Sequence, residues 1–190
     1  MIPILLILLL AVVTGVVIVA LFGVGIYNRL VQLRQMVKNA WSQIDVQLKR
    51  RHDLIPNLVN TVKGYAAHEK GTLDAVISAR AKATSASLPA DRIKAEGELT
   101  TALGRLLAVS EAYPNLKANE NFLGLQNELR GTEDRIAFSR QAYNESVRQY
   151  NTSIQTFPAV LFAGVFGFKD EPFFESPVEE KEAPKVDFGA

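Results

Sequence analysis

The chain has no cysteine, so disulfides, thiol nucleophiles and cysteine-bound metals are excluded at the outset. Histidine is nearly as scarce. His52 and His68 are too far apart on a helix to share a metal, and neither stands beside carboxylates at ligand spacing. Glu69 adjoins His68, but neighbours in a helix point about 100° apart and do not form a proton-transfer pair. An excess of either charge is also missing, since 21 basic residues face 20 acidic ones for a net charge of +1. Without a basic face there is nothing to neutralise a phosphate backbone, and nucleic acid is not an expected partner. Nucleophile elbow, phosphate-binding glycine loop and zinc signature are all lacking. These absences point away from an enzyme and away from any cofactor or metal.

What the sequence does have is one long hydrophobic run. No charged residue occurs from Ile2 to Ile26, and Ile4–Tyr27 as a helix is about 36 Å long, enough to cross a hydrocarbon core of about 30 Å. Residues 1–27 are therefore expected to form a transmembrane anchor. A cleaved signal peptide fits less well: there is no basic n-region, the run exceeds the usual apolar length of about 7–15 residues, and no small-x-small site closes it. Ala11, Gly15, Gly23 and Gly25 supply positions where helices approach closely, a weak oligomerisation signal because glycine is common in membrane helices. Arg29, Arg34 and Lys38 follow the run and nothing basic precedes it. The positive-inside tendency then puts the N-terminus outside and the bulk of the chain in the cytoplasm, a translocated bulk domain being the alternative.

The rest of the chain is long enough for one soluble domain of about 150 residues. It is organised around Asn119–Phe157, where every seventh residue gives Phe122, Leu129, Ile136, Tyr143, Tyr150 and Phe157, with Leu125, Val147 and Ile154 on the same side. Such a column is the seam of one long helix. Three shorter helices are expected before it. The first leaves the membrane through Leu30, Val37, Trp41, Ile44 and Leu48 and ends near Arg51, with a turn or kink in RRHDLIPNLV because Pro56 removes a helical hydrogen bond. The second runs from about Pro56 to Ser85 and bends or breaks near HEKG. The third, capped by Ser87 or Asp91, runs from about Ala90 to Ala112 and stops at YPN. Long helices with short turns favour antiparallel neighbours, so the predicted fold is all-α: a single N-terminal transmembrane helix continuing into an elongated antiparallel four-helix bundle over 28–157. That topology returns the apolar Phe/Gly-rich segment 158–174 to the membrane-proximal end, followed by a proline-rich, acidic tail, 175–190, expected to be disordered.

Two features are candidates for interaction. Phe162, Phe166 and Phe168 are suited to assembly or to the lipid interface. Tyr143-Asn144 and Tyr150-Asn151 recur seven residues apart and set Asn144 and Asn151 on one stripe beside the seam, with Glu133 and Arg140 as a second such pair. Asn57, Asn60, Arg80 and Glu111 are the expected partners, and fixing helix register is the favoured role of these polar groups, a ligand or peptide groove being the alternative.

The stretches RRHDLIPNLVNTVKGYAAHEKGTL, SEAYPNLKANENFLGLQNELRGTEDRIAFSRQAYNESVRQYN and FPAVLFAGVFGF occur in that order. Together they resemble the LemA family of bacterial membrane proteins over roughly Tyr27–Phe174, with Pro56, Asn57, Glu111, Tyr113, Pro114, Asn115, Lys117, Asn121, Phe122, Glu133, Arg140, Tyr143, Asn144 and Asn151 at motif positions. The resemblance implies a short N-terminal membrane segment, an antiparallel helical bundle and a single-pass protein of the bacterial inner membrane with its N-terminus outside. It implies no enzymatic activity, and one class of members is tied to magnetosome formation. The expected function is a membrane-anchored scaffold that self-associates as a homo-oligomer and organises membrane lipid or membrane-protein assembly. A monomeric adaptor that presents its bundle or tail to a signalling or envelope-stress protein is the alternative.

Overall fold

Proline in a helix interior leaves the carbonyl four residues earlier without its donor, yet α1 runs unbroken through Pro56, over Ile2–Tyr65. The expected break near Arg51 does not occur. The carbonyl that Pro56 orphans is that of His52, and the Arg80 Nε–H donates to it at 2.8 Å. A side chain from elsewhere in the fold thus replaces the missing helical bond, which sequence periodicity does not register. The chain turns instead at residues 66–69, within the stretch where the glycines and HEKG predict a bend. The computed structural model describes residues 2–174; the acidic tail expected at 175–190 lies outside the described residues.

The other elements are α2 (Lys70–Ser85), α3 (Pro89–Ser110), the single turn α4 (Pro114–Lys117), α5 (Glu120–Gln155) and the single turn α6 (Val160–Ala163), and the described residues contain no strand. The second helix therefore starts at Lys70 rather than Pro56. α3 begins at Pro89, whose missing N–H is no loss at a first helical position. Its cap residue is Leu88 and makes no side-chain bond, so neither Ser87 nor Asp91 has the expected capping role. α5 opens on a true cap: Asn119 Oδ1 accepts the Phe122 N–H at 3.0 Å, while Asn119 Nδ2 donates to the Tyr65 hydroxyl at 3.0 Å.

The chain forms two compact units, each built from part of α1 and part of α5. In the larger, residues 43–141 with Phe174, four helices contribute to one core: Ile55, Leu58 and Val62 from α1, Leu73 and Val76 from α2, Leu99, Leu103 and Leu106 from α3, and Phe122 and Leu129 from α5. α2 packs on α3 across the short connection 86–88. Leu116 of α4 is fully buried in the same core.

The smaller unit, residues 1–42 and 142–173, buries Leu30, Val37, Tyr143, Val147, Tyr150 and Ile154. Trp41 lies against the Tyr143 ring with centroids 5.4 Å apart. The α5 column is thus buried from Phe122 to Tyr150, but Phe157 is 80% exposed. The helix ends at Gln155, so the heptad register does not reach Phe157. Residues 169–173 run along α5 and are held by its side chains. Tyr143 donates to the Pro172 carbonyl at 2.8 Å, and the Asn151 amide both donates to the Glu171 carbonyl and accepts its N–H at 2.9 Å. Burial and the Glu171 charge push the Tyr143 hydroxyl up to about 12, which keeps it a donor at any physiological pH.

Both sets of contacts have measurable consequences for stability. Arg80→Met should cost about 1–3 kcal/mol because it leaves a carbonyl unsatisfied, whereas in a Pro56→Ala background, where the alanine supplies the helical N–H, the same change should cost much less. Equal losses in the two backgrounds, measured by chemical denaturation in mild detergent, would refute this role for Arg80. Tyr143→Ala should cost on the order of 3 kcal/mol and Tyr143→Phe about 1 kcal/mol by the same measurement.

Candidate functional site

Along α1, Leu48 and Ile55 mark one apolar face, and Arg51 and His52 occupy the positions between them at i+3 and i+4. Both are therefore drawn into the core of the larger unit, Arg51 at 1% exposure and His52 at 5%. A buried guanidinium needs acceptors, and α3 and α5 supply them. Arg51 Nη2 pairs with the Glu96 carboxylate, itself 2% exposed. Arg51 Nη1 donates to Glu133 Oε1 and to Thr100 Oγ1, each at 2.9 Å. His52 Nε2 lies 2.9 Å from Glu96 Oε1, a distance at which a proton on Nε2 binds the carboxylate. Burial pushes the Glu96 carboxyl up, but the hydrogen bond from His52 and the charge of Arg51 outweigh it and hold Glu96 below the usual carboxylate range.

This ion cluster forms part of the wall of a groove of about 420 Å³ between α3 and α5. Its apolar lining includes Ile93, Leu103 and Leu107 of α3 and Leu129, Ile136 and Ala137 of α5, with Arg130, Asp134 and Arg140 among the polar groups and Phe174 also in contact. The Arg140 guanidinium stands 5.6 Å from the centre of the Phe174 ring. Gly97 and Gly104 line the groove, and a Cβ at either would meet no atom within 4 Å. Both carboxylates next to Arg51 are paired with it. Among the described residues no group of three or more His, Asp or Glu side chains is placed to hold a metal.

The residues singled out in the sequence fall in different places. Glu133 and Arg140 line the groove. Asn57 is exposed on α1, and Glu111 is exposed and paired with Lys117. Asn144 is half-buried and engaged, and Asn151 holds the backbone of Glu171. Arg80, expected to partner the stripe, serves the His52 carbonyl instead. In the smaller unit Phe168 is buried, with Tyr27 edge-on at 5.7 Å and the Arg34 guanidinium 5.0 Å from its ring centre. Phe166 is half exposed with Tyr27 edge-on at 5.1 Å, and Phe162 lies over Gly23. Sequence reasoning missed Arg51, His52 and Glu96 as a cluster. The available signal was the presence of charge where the apolar stripe calls for hydrophobic side chains, both between Leu48 and Ile55 and three residues before Leu99.

The described residues form helices without strands, and among them one helix is long and apolar enough to cross a membrane, which suggests a helical, membrane-associated protein. The LemA family profile matches residues 40–188, more than half of the sequence, and the chain belongs to the LemA family. It is 28% identical over 178 residues to magnetosome protein MamQ of Magnetospirillum gryphiswaldense, a match covering 80% of this chain and 65% of that one. Magnetosome protein MamQ 2 of Paramagnetospirillum magneticum is 27% identical over 175 residues, covering 78% and 64%. Protein LemA of Metamycoplasma hominis is 27% identical over 135 residues, covering 70% and 62%. The chain spans a little under two thirds of the length of these relatives, and none of their names is that of an enzyme.

Removing one member of the ion cluster should cost far more than removing the whole. Arg51→Met leaves Glu96 buried without its guanidinium and is expected to cost about 3–5 kcal/mol at neutral pH, whereas Arg51→Met with Glu96→Leu should recover most of that loss. The pH dependence should also weaken. In the wild type Glu96 titrates below its unfolded value, so its contribution is present above the ordinary carboxylate range and lost as pH falls through the depressed folded value. In Arg51→Met burial and the His52 contact remain while the lowering from Arg51 is gone, so the part of the stability lost on acidification should be smaller than in the wild type. Denaturation of both proteins at neutral and mildly acidic pH checks this.

Proposed function

We propose that this protein is a membrane-anchored, non-enzymatic scaffold that self-associates and organises membrane or membrane-protein assembly. The observation that carries the reading is α1: one helix bears both an uncharged run of membrane-crossing length and the Arg51–His52 pair on which the larger unit's polar core is built. A contact made by the larger unit is therefore tethered to the bilayer by the same element that organises it. The soluble residues are read as an elongated antiparallel four-helix bundle, and family membership together with the basic residues after the run supports a bacterial cell membrane with the N-terminus outside and the bulk in the cytoplasm. Two relatives carry the name magnetosome protein, and an organising role at a membrane is the reading taken here.

The groove between α3 and α5 favours a second reading, an adaptor that receives one helix or peptide of a signalling or envelope protein. The two are separated by the mass of the full-length protein in mild detergent, measured for the wild type and for Gly97→Leu with Gly104→Leu. These changes place side chains in the groove at positions where a Cβ meets no atom within 4 Å, and they remove two helix-weakening glycines. A large, homogeneous wild-type particle that the double change reduces to protomers is the result expected of a scaffold assembling through the groove. A stable monomer in both cases rules out the scaffold in favour of the adaptor.

A further inference from the structure

Between Phe157 and Phe168 the chain carries no charge, and Lys169 is the first charged residue after it. Within the smaller unit this segment lies against the end of the anchor run. The Phe162 ring fills the place a side chain at position 23 would take, since a Cβ on Gly23 would lie 3.3 Å from its Cε1. Phe162 and Phe166 then close a crevice of about 410 Å³ with Val19, Ala20 and Val24, all members of the uncharged run. Tyr27 edges onto Phe166 and Phe168, and Arg34 stands over Phe168.

The order of these contacts along α1 is informative. From Gly23 the helix rises about 6 Å to Tyr27 and about 16 Å to Arg34. The segment thus meets α1 in the sequence apolar, aromatic, cationic, the same order as acyl chain, interface and headgroup across one leaflet. Its outward side chains agree: Leu161 is 62% and Val165 81% exposed, both apolar. A water-facing segment of this composition would expose a continuous apolar patch beside a helix that is itself apolar.

We propose that residues 157–168 form a second, non-spanning membrane contact, inserted beside the anchor in the same leaflet, and that a phospholipid acyl chain occupies the crevice between Phe162, Phe166 and the Val19–Val24 face. The occupant is lipid because the crevice wall is the anchor itself, at hydrocarbon depth. This rests on reading the uncharged run as a membrane anchor.

The chain has no cysteine, so single nitroxide labels at Val13→Cys, Leu161→Cys and Val165→Cys report cleanly in the full-length protein in vesicles of phosphatidylcholine and phosphatidylglycerol. Labels at 161 and 165 should collide with oxygen several-fold more often than with a water-soluble nickel chelate. Chelate access at 161 and 165 with the label at 13 in lipid overturns the insertion but leaves the anchor; chelate access at all three overturns the anchor as well. Dipolar broadening between labels at 161 or 165 would make a second copy of the chain the occupant and overturn the lipid assignment. For the crevice, Phe162→Trp in a Trp41→Phe background should be quenched several-fold by phosphatidylcholine with brominated acyl chains. No quenching overturns acyl-chain occupancy.

Discussion

A guanidinium removed from water has to be answered at nearly every donor, and Arg51 is answered by α3 and α5 together. Its two terminal nitrogens reach Glu96, Thr100 and Glu133, while His52 beside it reaches Glu96 from the same turn of α1. The desolvation of such a group cancels much of what its ion pairs return, so the cluster is poorly suited to adding net stability. What it does is restrict the arrangement. A slip of α1 by one residue would exchange Arg51 for Arg50 or His52, and Glu96 would remain buried facing the wrong partner. Apolar side chains of similar size would tolerate that slip; the cluster does not.

The same turn of α1 explains how a proline survives in the middle of a 64-residue helix. Arg51 and His52 face α3 through their side chains, and the His52 carbonyl, freed by Pro56, faces Arg80 of α2. Helices α2, α3 and α5 are thus all bound to one turn of α1, and the acceptor used by Arg80 lacks its helical donor only because the sequence has proline at 56. A helix made weaker locally becomes a point of tertiary attachment. This offset is invisible to rules that treat proline as a breaker, because it depends on a residue 28 positions away in the chain.

Where burial follows local period, the sequence was readable. The column Phe122, Leu129, Ile136, Tyr143, Tyr150 is buried throughout, and Asn119, at the head of that stretch, is the cap of α5. It failed where the outcome depends on partners distant in sequence. Phe157 continues the heptad arithmetically, but the helix has ended by then and periodicity carries no information about where a helix stops. The polar stripe was legible as a set of residues that need partners, yet each finds a different one: Glu133 a buried arginine, Arg140 an aromatic ring, Asn151 a backbone. The ion cluster was hidden for a related reason. A count of apolar positions passes over Arg51 and Glu96, although charge on an apolar face is itself the signal that a compensating charge lies opposite.

The C-terminal segment of the smaller unit divides into two parts that satisfy their backbones differently. From Pro158 to Phe168 the bonds are internal: Ala163 N–H to the Ala159 carbonyl, Phe166 to Phe162, Phe168 to Ala163, all within 3.0 Å. From Asp170 to Pro172 the chain has no regular secondary structure and depends on α5. Asn151 meets both backbone groups of Glu171, as a neighbouring strand would, and Tyr143 meets the carbonyl of Pro172, which has no N–H to satisfy. Gln155 donates to the Asp170 carboxylate at 2.9 Å. Self-contained bonding is what a medium without water demands, while a strap held by polar side chains suits an aqueous one. The change of bonding style falls at Lys169, where charge returns to the sequence, so backbone and composition change at the same residue.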